Sequence, residues 1–197
     1  MSKITRNSLL TLEAYARARN EMRTQLMQHK SLRMVPLGEH VSLIFEDETT
    51  MRYQIQEILR AEKIFEEGEI QGELDAYNPL IPDGSNWKAT MMIQYPDEAE
   101  RRQRLTELKN IEDHVWVQVT GHDRVYALAD EDMPRSNDEK TSAVHFLRFE
   151  LAQSMIPTVK SGAEVYIGLD HPAYTVDAQV ILSKTRASLA DDLAYVM

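Results

Sequence analysis

HVWVQVTGHDRVYALA, residues 114–129, reads as a hairpin that turns at Thr120-Gly121-His122-Asp123. A second hairpin is written further on, in VYIGLDHPAYTVDAQVI at 165–181. Hairpins close antiparallel ladders, whereas parallel strands need long crossovers. Upstream the order is helix, strand, helix, strand, helix. An α+β chain follows, with a mixed or mainly antiparallel sheet, helices packed on one face and an amphipathic N-terminal helix.

That N-terminal helix is expected over residues 5–29, where Leu12, Tyr15, Ala16, Met22 and Leu26 recur at three- and four-residue spacing. A Pro-Leu-Gly turn at 36–38 leads to the strand EHVSLIFE, with Val41, Leu43 and Phe45 on one side. Glu48, Thr49 and Thr50 open a helix expected to run to about Glu67 and to stop at Gly68. A short helix at 69–76 and the loop YNPLIPDGSN precede WKATMMIQY, a strand with Trp87, Ala89, Met91, Ile93 and Tyr95 on one face. Asp97 caps a charged helix, a short helix ends at Gly162, and Thr185 or Ser183 caps a terminal helix. No Pro/Gly/Ser-rich break divides the chain, so residues 1–197 form one domain whose N-terminal helix is the part best placed to meet something else.

The 197 residues are 43% hydrophobic and 27% charged, enough to bury a core. A net charge of −10 excludes nucleic acid as a partner, since phosphate binding needs a basic face. No apolar run approaches the roughly 20 residues of a membrane span, and MSKITRNSLLTLEAY lacks the pattern of a signal peptide. The protein reads as cytoplasmic. With no cysteine, thiolate nucleophiles, disulfides and cysteine-held zinc or iron–sulfur centres are excluded. Any metal must use His, Asp and Glu.

No Glu stands three residues before any of the six histidines, as a ferritin-like di-iron site requires. His-x-Asp, His-x-Glu, His-Glu-x-x-His, phosphate loops, nucleophile elbows and calcium loops are also missing. The acidic run Ala129-Asp130-Glu131-Asp132 reads as a solvated loop.

What remains is polar residues on apolar faces. With Met51 set at zero on its helix, Ile55 falls at about 40° and Glu62 at about 20°, inside the apolar stripe. A carboxylate there must be paired, protonated or metal-bound, unless the helix leaves the core before it. In KTSAVHFLRFEL, residues 140–151, Ala143, His145, Leu147, Phe149 and Leu151 share one face, and Arg148 and Glu150 the other. His145 is then a core histidine bonded to a carbonyl or carboxylate, or a metal ligand or base. His40 opens a strand, and His171 sits with Asp170, Pro172 and Tyr174 at a hairpin tip. The candidate metal set is therefore His145, Glu62, His40 and His171. Trp87 and Lys88, behind a Pro/Gly loop, form a candidate ligand rim or else anchor that loop to the core.

LGEHVSLIFEDETTMRYQIQEILRAEKI, YNPLIPDGSNWKATMMIQYPD, EKTSAVHFLRFEL and DHPAY together resemble a bacterial family of domains of unknown function, number 3501, over nearly the whole chain. The resemblance implies a setting and no catalytic set: genes for such proteins lie beside those of rubrerythrin-like di-iron proteins and iron–sulfur oxidoreductases. Two readings stand. In the first, the chain is an accessory or partner protein of a redox or peroxide-defence module, such as a rubrerythrin-like protein or an iron–sulfur oxidoreductase, with no redox cofactor of its own. In the second, it holds Fe, Mn or Zn through His and Glu, as a metal-binding protein or an enzyme. Either is compatible with a homo-oligomer.

Overall fold

The computed structural model describes residues 3–133, 135–137 and 139–195; Pro134 and Asp138 of the acidic loop lie outside them. In chain order the elements are α1 (Leu12–Arg33), β1 (Met34–Leu37), β2 (Val41–Glu46), α2 (Glu48–Ala61), α3 (Glu67–Tyr77), β3 (Asn86–Ile93), α4 (Glu98–Glu107), β4 (Val115–Val119), β5 (Arg124–Tyr126), β6 (Leu128–Ala129), β7 (Val144–Glu150), α5 (Met155–Lys160), β8 (Val165–His171), β9 (Tyr174–Val180) and α6 (Ser183–Asp191). The class is α+β. The strands divide between two antiparallel sheets, in the orders β1-β2-β3-β7-β6 and β5-β4-β8-β9.

Alternation along the strands explains the packing. Leu43 and Phe45 of β2, Trp87 and Met91 of β3, and Leu147 and Phe149 of β7 enter one core with Val115, Val117, Ile167 and Leu169 of the second sheet. A smaller cluster seats Ile4 and Leu9 against α2 and α3. The second sheet also ties to the edge of the first: Tyr174 Oη donates to the Leu37 carbonyl and accepts from His40 N–H, at 2.8 and 3.0 Å. Gly38 has φ +72°, and a Cβ there would lie 2.5 Å from that hydroxyl, so only glycine permits the contact. Among the described residues no helix is long and apolar enough to cross a membrane.

Several boundaries differ from those expected. The first helix starts at Leu12, capped by Thr11, and runs to Arg33. Pro36 and Leu37, expected in a turn, instead belong with Met34 and Val35 to an edge strand paired with β2, where Pro36 costs no central ladder bond. The helix expected to reach Glu67 stops at Ala61, because Lys63 adopts φ +57°, and the next helix begins at Glu67, so Gly68 lies inside α3 and stops nothing. Asp97 caps α4 through Glu100 N–H as expected, but α6 has no side-chain cap. α1 is not peripheral: Tyr15, Leu26 and Arg33 are buried within the chain. Arg33 is almost wholly enclosed, donating to the Phe45 and Glu46 carbonyls, Ser188 and Asp192.

Candidate functional site

Three segments far apart in sequence converge on His145. β7 carries it into the core, opposite Met91 of β3. The chain leaves the second sheet after β5, joins β7 as β6, and immediately turns at Asp130 with φ +51°, a conformation Asp and Asn tolerate better than most residues. Asp130 N–H donates to the Phe146 carbonyl at 2.9 Å, and its Oδ1 accepts from Phe146 N–H at 3.0 Å. That bracket leaves Oδ2 2.6 Å from His145 Nδ1. Glu112 comes from a 3-10 turn, Ile111–His114, that leads into β4.

The other face of the imidazole is crowded with oxygen. Nε2 lies 2.8 Å from Thr141 Oγ1, 3.0 Å from the Ser142 carbonyl and 3.7 Å from Glu112 Oε2. Thr141 donates to Glu112 Oε2 at 3.0 Å, and Ser136 donates to Glu112 Oε1. Arg135 reaches Asp130 Oδ1 at 3.2 Å and lies over the Phe146 ring. Side-chain exposures of His145, Glu112 and Asp130 are 0%, 7% and 8%, so the group is shut off from bulk water. One ligand atom from each of these three residues lies within 4.8 Å of the others. Partial burial and then the charge of Glu112 push the neighbouring Asp113 carboxyl above its ordinary range, a sign that anionic charge accumulates here.

Of the residues singled out beforehand, His145 alone belongs to this cluster. Glu62 is exposed at the C-terminal cap of α2: the helix ends just where the stripe would have carried it inward. His40 stacks on Tyr95 at 4.0 Å, with Nδ1 3.1 Å from the Gln94 carbonyl. His171 spends both nitrogens on backbone: Nε2–H donates to the Lys109 carbonyl at 3.0 Å, and Nδ1 accepts from Ala173 N–H at 3.2 Å. Burial holds His171 below its ordinary range, which keeps that bonding pattern intact. The rim also divides. Trp87 is a core residue, fully buried and donating to the Leu189 carbonyl at 2.9 Å, whereas Lys88 does line a groove.

Glu112 and Asp130 had one legible clue between them. Asp130 follows a strand directly and precedes His145 by 15 residues, a spacing that an antiparallel return brings together. In the acidic run it is nearly buried while Glu131 and Asp132 are exposed, so the solvated-loop reading holds for those two and fails for Asp130.

No curated protein matches the chain. A crystal structure at 1.90 Å of a novel protein of unknown function from Burkholderia pseudomallei is 54% identical and superposes with a TM-score of 0.94, covering 98% of this chain and 100% of that one. The model of the protein family of unknown function DUF3501 matches residues 3–193, and the chain belongs to that family.

Proposed function

We propose that this chain holds one divalent metal ion on the Nε2 side of His145 and serves as an accessory protein in a redox or peroxide-defence module. The observation that carries the reading is the buried convergence of one imidazole and two carboxylates. Asp130 takes the Nδ1 proton, which directs Nε2 toward Glu112; a carboxylate that orients a histidine in this way is the usual support behind a metal ligand. Donors each about 2.1 Å from one ion lie roughly 3–4 Å apart, and the 3.7 Å between Nε2 and Glu112 Oε2 falls in that span. Thr141 Oγ1 and the Ser142 carbonyl add oxygen donors, which favours Mn(II) or Fe(II) over Zn(II).

The burial of all three side chains argues for holding an ion and against catalysis, because a catalytic metal needs an open position for substrate. That fits a partner protein more than an enzyme, in the cytoplasm, beside the rubrerythrin-like and iron–sulfur oxidoreductase proteins of the family's setting. The test is anaerobic calorimetry with Mn(II), Fe(II) and Zn(II) on protein prepared without a histidine tag. One ion per chain, lost in Glu112→Gln and His145→Gln variants that keep the wild-type circular dichroism, supports the site. A folded wild-type chain that takes up no ion in millimolar metal overturns it. Co-purification with the two neighbouring proteins under reducing, anaerobic conditions tests the partnership separately.

A further inference from the structure

Lys88 stands in the middle of a charged row that crosses the first sheet. Its register partners are Glu46 on β2 and Arg148 on β7, and direct partners in an antiparallel ladder point to the same face. Arg148 is fully engaged, with Nε and Nη2 each 2.7 Å from the Glu131 carboxylate and Nη1 on Glu150. The ammonium of Lys88, a half-buried residue, makes no hydrogen bond and no ion pair among the described residues. Glu46, on the same face and nearly buried, keeps one carboxylate oxygen without a hydrogen-bond partner.

The Lys88 side chain borders a groove of about 440 Å³ whose apolar wall includes Pro79, Leu80 and Phe146. Two carboxylates already balance the Arg148 guanidinium there, so the groove has no surplus positive charge to attract an anion. A neutral, partly apolar ligand fits that lining better. Burial, and then the charge of Arg148, hold the Lys88 ammonium below the ordinary lysine range, against the pull of Glu131, Asp83 and Glu150. Desolvation beside a second cation is the way a lysine becomes a nucleophile near neutral pH.

We propose that Lys88 is a carbonyl-capturing amine, and that the groove between Leu80 and Phe146 seats the apolar tail of a small aldehyde. In the step, the amine nitrogen attacks the aldehyde carbon and a C–N bond forms. The carbonyl oxygen then leaves as water, carrying off the two hydrogens of the amine, and an imine remains; no oxidant or reductant takes part. This chemistry is independent of the metal cluster, which lies on the core face of β7 while Lys88 and Arg148 use the other face.

The experiment traps the imine on the full chain with pentanal and sodium cyanoborohydride at neutral pH, and maps the alkylated lysines by peptide mass spectrometry. Lys88 is expected to react several-fold faster than the exposed lysines, because its lowered ammonium range leaves more of it as free amine at neutral pH. Its pH profile reaches half-maximum below theirs. Glyoxylate in place of pentanal should lower the Lys88 preference, and Lys88→Arg should remove the fast site alone. Labelling of Lys88 at the rate and pH profile of exposed lysines overturns the proposal on wild-type protein, whatever the variant does. Equal preference for glyoxylate and pentanal overturns the apolar seat.

Discussion

The Nδ1 of His145 and the Oδ2 of Asp130 are 2.6 Å apart, joined across 15 residues by the antiparallel return from β6 to β7 within one sheet. Replacing Asp130 by Asn keeps the shape and suits the same left-handed backbone, so the swap isolates the charge. Mn(II) binding should weaken by about 10- to 100-fold. Calorimetry on folded Asp130→Asn protein checks it; unchanged affinity would remove Asp130 from the site's support.

Metal and proton compete for one atom. A ligand nitrogen must be free of its proton, so any proton that Nε2 shares with the Ser142 carbonyl, 3.0 Å away, has to leave when the ion binds. Mn(II) uptake should therefore release about one proton per ion. Titrations in buffers of different ionisation enthalpy give that number directly, and affinity should fall as the solution is made acidic.

Arg33 joins α1, β2 and α6 from inside the fold. Arg33→Met leaves the Asp192 carboxylate buried without its partner and should cost about 3–5 kcal/mol in urea denaturation. Burial pushes Asp192 up to about 6, from an ordinary 3.8, despite the pull of Arg33. A carboxyl raised in the folded state favours folding while protonated. Its contribution is present below about pH 4 and is lost as pH rises through 6. Asp192→Asn should flatten that stretch of the stability profile.

Gly168 faces Trp116 across the β4–β8 ladder, and a Cβ there would come within 2.3 Å of the indole. The Arg124 guanidinium lies over the same ring, 3.9 Å from its centroid. Gly168→Ala should destabilise the chain by about 1–3 kcal/mol and shift the tryptophan fluorescence.

Glu62 serves as the counter-test. As an exposed helix-end residue, Glu62→Gln should change stability by less than about 0.5 kcal/mol. It should leave metal uptake as it is. A loss of binding there would mean that the ion sits elsewhere.

Much of the fold was legible because local patterns report local contacts. The two hairpins, the alternation of Trp87, Ala89, Met91 and Ile93, and the caps at Asp97 and Gly162 are short-range, and each is found where it was expected. Helical periodicity failed at Glu62 because nothing in a 100° count announces that Lys63 will turn left-handed. For Trp87 the choice between rim and core anchor was open for a related reason: a residue after a loop reads either way until the element above it, here α6, is known.

By itself the sequence determined the α+β class, the absence of cysteine chemistry, and the presence of a histidine on the buried face of β7. Only the tertiary structure decided what that histidine touches. Glu112 and Asp130 reach it by way of a 3-10 turn and a strand that changes sheets, and contacts made by crossing between sheets leave no period in the chain.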